Sequence, residues 1–431
     1  MGSDPQQIYR SVLDRLGASE PLVLGFSGGS DSLALLVRLL EFGRQTRRPV
    51  HALVVNHRIS SGADAQTARA LDQASELGAK AQGLVWGGAS LVGHAQARSA
   101  RYALLAGACR ELGAQHLLLA HTRDDQHETF LLRVLANSGP TGLAVMGVDA
   151  PYPLWPEGAS LRVLRPVLHE SRAKLRQFLT GQNLSWIDDP ANQDHRYARV
   201  RMREHLARLH KNGFRAEMLD RAIQRFQALA RDQLAALAPA IQQSVRFDRL
   251  GFANLAVESV AKLDSSIRQL LLEKVMLAVS GAGRCKHRGL VLEQLWQQVA
   301  IIGQTQTKNG CVLQVKSGQL WVMREPGAVC GRGKKPGLRV EVKTAGQPVW
   351  FDARWQIKPP MSGTIVPLGN CREPLSPAQL AALKAIPSFV RQTLPVLLCD
   401  GHKPNLLCLD APQTISFAGA ARGLETGTCF A

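Results

Sequence analysis

From residue 21 to about residue 147, short apolar runs alternate with longer amphipathic stretches. That alternation predicts an α/β fold with a doubly wound parallel sheet. The runs 21–26, 50–56, 81–86 and 115–120 read as strands, and 30–43, 64–78 and 94–113 as the helices between them. Ligands of such sheets bind beyond the carboxyl ends of the strands, so the residues that follow Phe26, Asn56, Trp86 and Ala120 should share one rim. After a stretch punctuated by Pro151, Pro153, Pro156 and Gly158, the pattern predicts an extended segment over 161–168, a helix over about 171–179 and a loop over 186–194. Further helices run to about Ile302 and a hairpin covers 310–324. The basic, glycine-rich 331–336 reads as a linker to a terminal region of strands with one helix near 377–384.

At 431 residues the chain exceeds the roughly 100–200 residues of a usual domain. The expected division is a catalytic domain over 1–212, a helical domain with a terminal hairpin over 213–330, and a small mixed α+β domain over 337–431. Both of the later domains are expected to hold the chain's macromolecular partner and not to carry chemistry. Hydrophobic residues make up 45% of the chain and charged residues 20%, as in globular proteins. No apolar run approaches the ~20 residues that cross a bilayer, and the amino terminus lacks a signal pattern, so a cytoplasmic protein without membrane attachment is expected. The eight cysteines are scattered, with no Cys-x-x-Cys pair, which argues against a zinc or iron–sulfur site.

Charge sharpens the picture. Fifty-two Lys and Arg against 34 Asp and Glu give a formal net charge of +18, which favours a polyanionic partner through counterion release. Between 196 and 231 there are ten Lys or Arg against three acids, +7 in 36 residues. Three acids cannot neutralise ten bases on a salt-bridged surface. Arg199, Arg201, Arg203 and Arg208 are therefore expected to track RNA phosphates without reading bases.

Directly after the first apolar run comes Ser27-Gly28-Gly29-Ser30-Asp31-Ser32, followed by a helix. The two glycines let the backbone turn tightly towards phosphate oxygens, the hydroxyls add donors, and the helix N-terminus adds its positive end. The string has the spacing of neither a Walker A loop nor a dinucleotide fingerprint. Asp31 would repel bare phosphate, so its expected role is a Mg²⁺ ligand beside a bound pyrophosphate group. After the fourth strand, Asp124, Asp125 and Glu128 open a helix with Asp124 and Glu128 one turn apart. Like charges at that spacing cost roughly a few tenths of a kcal/mol, so a cation is expected there. His57, His121 and His127 are candidates for phosphate contact or acid–base work. Arg98, Arg101 and Tyr102 share one helical face that suits a nucleotide or an RNA backbone.

The string Ser27 to Ser32 resembles the S-G-G-x-D-S loop of N-type ATP pyrophosphatases, the PP-loop family. Further strings, in order along the chain, resemble tRNA(Ile)-lysidine synthases: Ala97-Arg98-x-x-Arg101-Tyr102, His121-x-x-Asp124-Asp125-Gln126-x-Glu128-Thr129, Ser138-Gly139-Pro140-x-Gly142-Leu143, Arg165-Pro166 and Trp186-Ile187-x-Asp189-x-x-Asn192. The carboxyl half is similar only loosely, at Arg391-Gln392-Thr393-Leu394-Pro395. Departures are Asn56-His57-Arg58 where the family has an aspartate and His-Gly, His94 where it has a glutamate, and Arg199-Val200 where it has Arg-Asn. The resemblance implies a ligase using ATP and Mg²⁺, with L-lysine and a minor isoleucine tRNA as partners. ATP adenylates the carbonyl oxygen at carbon 2 of the wobble cytidine, lysine's ε-amine attacks that carbon, and AMP leaves. In this reading Ser27, Gly28, Gly29, Ser30, Asp31, Ser32, His57 and Arg98 hold the nucleotide. Asp124, Asp125 and Glu128 hold lysine and take its proton, with no division of tasks among them legible. Two rivals are a thiolating PP-loop tRNA enzyme, which needs reactive cysteines or a cluster, and a non-catalytic RNA-binding protein with a nucleotide-sensing loop.

Overall fold

The computed structural model describes residues 5–58, 62–87, 94–188, 194–285 and 289–418. Asp189 and Asn192 lie outside them. The chain divides into two compact units at Arg231. The first holds a six-stranded sheet made of β1 (Leu22–Phe26), β2 (Val50–Asn56), β3 (Lys80–Val85), β4 (His116–Leu118), β5 (Asp149–Pro151) and β6 (Arg162–Leu164), in the order β3-β2-β1-β4-β6-β5. All neighbours pair in parallel except β5, which runs antiparallel to β6. Helices α1 (Pro5–Leu13), α2 (Ser30–Thr46), α3 (Ala63–Glu76), α4 (His94–Glu111), α5 (Arg123–Leu135), α6 (Pro140–Leu143), α7 (Arg172–Gly181), α8 (Ala198–Lys211) and α9 (Ala216–Ser244) follow in chain order.

Strand residues alternate between two cores because successive side chains point to opposite faces. Leu22, Leu24 and Phe26 pack with Leu33 and Leu36 of α2 and Leu175 and Leu179 of α7. Val23, Leu53, Leu117 and Val163 pack instead with Leu105 and Ala106 of α4. Each fully buried leucine contributes about 1.5–3 kcal/mol of transfer free energy, which fixes the register of β1 against β2. The order of β1 between β2 and β4 makes their carboxyl ends the switch point of the sheet.

The first unit runs past residue 212, where the sequence placed its boundary. Leu219 and Ile223 of α9 close a third core with Phe130 of α5 and with Met202 and Leu206 of α8, so the start of α9 belongs with the catalytic fold.

The second unit is not mainly helical up to residue 330. Its first sheet is antiparallel: β7 (Val245–Asp248), β8 (Phe252–Ala256), β9 (Gln306–Lys308), β10 (Cys311–Lys316) and β11 (Gln319–Arg324), in the order β7-β8-β11-β10-β9. The expected hairpin is β10–β11, closed by Ser317 and Gly318 with φ of 51° and 72°, the positive pair that a two-residue turn requires. Nor does the stretch 331–336 act as a linker between separate cores. Phe252, Val312 and Met323 share one cluster with Phe351, Trp355, Leu394 and Leu406 from the terminal region. No helix among the described residues is long and apolar enough to cross a membrane.

Candidate active site

The loop after β1 is shaped by Gly28, whose φ of +77° admits few other residues and where a Cβ would lie 2.6 Å from Ile187 Cδ1. Ile187 N–H donates to Gly28 O at 3.0 Å, so Ile187 braces the loop from outside. Within the loop, Ser32 Oγ donates to Gly29 O at 3.0 Å and lies 3.1 Å from Ser27 Oγ. The first intrahelical bond runs from Leu33 N–H to Gly29 O. The N–H groups of Ser30, Asp31 and Ser32 therefore have no partner within α2 and are disposed for an anion.

Facing this helix end are the acids of α5. Thr122 caps α5 in a reciprocal box, with Asp125 Oδ2 accepting from Thr122 N–H at 2.9 Å and from Thr122 Oγ at 3.0 Å. Asp125 Oδ1 accepts from Arg172 Nη2 at 3.2 Å, and these charges and donors hold its carboxyl below the usual range against the opposing effect of burial. Arg172 Nε also donates to Asp31 Oδ2 at 2.9 Å, its Nη1 lies 3.7 Å from Glu128 Oε1, and its backbone N–H donates to Asp124 Oδ2 at 2.8 Å. Four acids from two elements thus converge on one residue. Glu128 is fully buried, accepts from Arg203 Nε at 2.9 Å through Oε1, and leaves Oε2 buried without a partner.

The histidines separate. His121 Nδ1 accepts from Nε of the buried Arg165 at 3.2 Å, so the neutral ring carries its proton on Nε2. Burial and the neighbouring Arg165 push His121 down to about 3. His57 lies beyond β2 with its Nδ1 buried and unpartnered, and burial together with Arg101 lowers its pKa. His127 points away from the rim, to Asp220 of α9 at 2.7 Å. Arg98 is exposed and lies over the ring of Tyr102 on its own helix, while it is Arg101 whose charge reaches His57 and His121.

The basic helix α8 has two sides. Arg201 and Arg208 are exposed, and Arg201 Nη1 donates to the carbonyls of His195 and Arg196. Arg199 is exposed as well, yet its charge reaches Asp125 and His121. Arg203 turns inward to Glu128, so the structure gives it an acid partner where the sequence suggested a phosphate.

The PP-loop domain family matches residues 4–210. The chain is 35% identical to the tRNA(Ile)-lysidine synthase of Caulobacter vibrioides over 94% of this chain and 91% of that protein. The chain belongs to the tRNA(Ile)-lysidine synthase family. It is also 32% identical to the synthase of Hyphomonas neptunium, over 76% of this chain and 89% of that one. A solved U34-tRNA thiolase from Methanococcus maripaludis has a TM-score of 0.42 and 16% identity, covering 52% of this chain and 78% of its own. The assignment rests on the curated relatives.

Asn56 forms the turn after β2. Its Nδ2 donates to Asp64 Oδ1 at 2.6 Å and its Oδ1 accepts from Arg58 N–H at 2.9 Å. Arg172 and Arg176 were missed by sequence reasoning; their one-turn spacing at the start of α7, just beyond β6, was the available signal. Among the described residues no three His, Cys, Asp or Glu side chains surround a common point closely enough to cage a metal. Mg²⁺ beside a nucleotide needs only one or two carboxylates, the phosphates supplying the rest. Asp31 in the first turn of α2, already facing a cation, fits that requirement.

Proposed function

We propose that this chain joins lysine to carbon 2 of the wobble cytidine of a minor isoleucine tRNA, with ATP and Mg²⁺. The observation that carries the reading is the convergence of Asp31 of the phosphate loop with Asp125 and Glu128 of α5 on one guanidinium, at 2.9–3.7 Å. It supports a reading with a nucleotide site and an ammonium site side by side at the switch point.

The free N–H groups of residues 30–32 and the end of α2 hold the triphosphate and stabilise charge as pyrophosphate leaves. Mg²⁺, held at Asp31, supplies charge neutralisation on the phosphates. The carbonyl oxygen at carbon 2 of a cytidine splayed out of the anticodon loop takes the adenylyl group. Lysine's ε-amine then forms the bond to carbon 2 as the carbon–oxygen bond to AMP breaks. Glu128, whose buried Oε2 has no partner, is the acid we assign to the ε-ammonium and its proton. Asp125 spends one oxygen on the helix cap and positions, and Asp124 orients α7 through the Arg172 N–H. Neutral His121 offers its Nε2–H as a donor at the rim. Arg199, Arg201 and Arg208, with the second unit, hold the tRNA, and the reaction is placed in the cytoplasm.

Sulfur insertion is disfavoured by Cys109, the one cysteine among the described residues of the first unit, which is fully buried with its thiol pushed up to about 12. The deciding experiment incubates the protein with ATP, Mg²⁺, labelled lysine and bacterial tRNA. Label should enter RNA with release of AMP and pyrophosphate. AMP release without lysine in RNA would reject the ligase reading.

A further inference from the structure

The cation at the centre of the acid cluster belongs to the protein. Arg172 directs Nε to Asp31, Nη2 to Asp125 and Nη1 towards Glu128, and both Arg172 and Asp31 keep 18% of their side-chain surface exposed. One turn along α7, Arg176 Nε donates to Ser30 Oγ at 3.3 Å, with its guanidinium over the ring of Trp186. Helix α7 therefore offers two guanidinium groups to the end of α2 where the loop N–H groups are free. The carboxylates that Arg172 occupies are the ones that Mg²⁺ and the lysine ammonium need.

We propose that Arg172 is a two-position counter-ion: without nucleotide it holds Asp31, Asp125 and Glu128 together, and with ATP it turns to the phosphates beside Arg176, leaving the carboxylates to the incoming cations. The inference rests on the ATP and lysine reading of this site. A planar guanidinium fork matches phosphate as well as carboxylate, so the move exchanges one charge-assisted set of hydrogen bonds for another. Without Arg172 the three carboxylates would repel one another, with Arg203 beside Glu128 and the more distant charge of Arg199 reaching Asp125 as partial compensation. With Arg172 fixed on them, two cationic ligands would meet an already compensated cluster. Glu128 Oε2, buried and without a donor, is the place where that compensation is incomplete.

The test uses the full-length protein with neither tRNA nor lysine. Mn²⁺ alone and ATP in chelator are each titrated against wild type, Arg172→Ala and Arg172→Lys, with circular dichroism and thermal melting as checks of folding. Arg172→Ala should bind Mn²⁺ at least threefold more tightly, because the carboxylates lose their resident cation. The same variant should bind metal-free ATP at least tenfold more weakly, because the phosphates lose theirs. Arg172→Lys should restore much of both. A purely structural role weakens both ligands together, so unchanged or weaker Mn²⁺ binding in a folded variant overturns the proposal, as does unchanged ATP affinity. If Arg172→Ala does not fold, Arg172→Gln carries the test with the same opposed shifts required. A wild type that labels tRNA while the variants lack opposed shifts removes this inference and keeps the proposed function. A wild type that shows the shifts but never labels tRNA does the reverse.

Discussion

Arg203 donates its Nε–H to Glu128 Oε1 at 2.9 Å, joining a partly exposed arginine on α8 to a fully buried acid on α5. Two residues earlier, Arg201 turns the other way and holds the carbonyls of His195 and Arg196. Substitutions on one helix should therefore separate into two phenotypes. Arg203→Ala leaves a buried carboxylate with one cation fewer, so it should lower kcat for lysidine formation and cost about 1–2 kcal/mol of stability, the pair being partly solvated. Arg201→Glu with Arg208→Glu should leave kcat and ATP binding near wild type, weaken tRNA binding, and reduce the slope of log affinity against log salt by about 2. Filter binding across a salt series, beside steady-state kinetics, makes the comparison; an unchanged salt slope would refute the phosphate role.

The two glycines of the loop should respond unequally. Gly28 combines φ +77° with a Cβ clash at 2.6 Å, whereas a Cβ at Gly29 would meet nothing closer than 3.6 Å. Gly28→Ala should destabilise the first unit by about 1–3 kcal/mol and abolish nucleotide binding, while Gly29→Ala should melt near wild type. Equal melting temperatures for the two variants would contradict the brace by Ile187.

His121 sets a pH dependence with a definite sign. Its folded pKa of about 3 lies below the ordinary value near 6.5, so the unfolded chain takes up a proton that the folded one refuses. Stability should then fall as pH drops from about 6.5 towards 3, at about 1.4 kcal/mol per pH unit for one proton. Asp125, held below the usual carboxylate range, adds loss in the same direction at lower pH. His121→Asn should flatten the upper part of that dependence, and nitrogen NMR should find a neutral Nε2–H ring at pH 5. A ring titrating near 6.5 would remove the argument.

Fragment behaviour tests where the first unit ends. A chain cut after Arg231 keeps Leu219 and Ile223 against Phe130 and should fold and bind ATP, with tRNA modification much reduced. A cut after Asn212 exposes that core and should give a fragment that melts early or aggregates. Cooperative unfolding and ATP binding by the shorter fragment equal to those of the longer would show that α9 is dispensable.

The sheet was legible because β1 is apolar along its length and β2 over Ala52–Val55, and each is followed by a turn with its own chemistry. The acids after β4 were legible for the same reason: position beyond a strand fixes where a side chain arrives. Arg172 and Arg203 were not, since each acquires its meaning from a partner on a distant element, Asp31 or Glu128, and ion pairs across elements leave no periodic trace. Asp125 was read for charge alone, although Thr122-x-x-Asp125 spells a helix cap. In the second unit, β7 and β8 are short and mixed in polarity, so their sheet gave little signal beyond the hairpin.

The bond from Ile187 N–H to Gly28 O makes the phosphate loop a joint product of two stretches of chain with most of a domain between them. Gln73 of α3 secures the second stretch through Ser185 O at 2.8 Å. The segment that leads into the basic helix therefore cannot be exchanged as a cassette: grafting another protein's residues 182–212 to retarget RNA would also reset the nucleotide loop. With α8 holding RNA as proposed, recognition and activation are inherited together, and a designer must move both or neither.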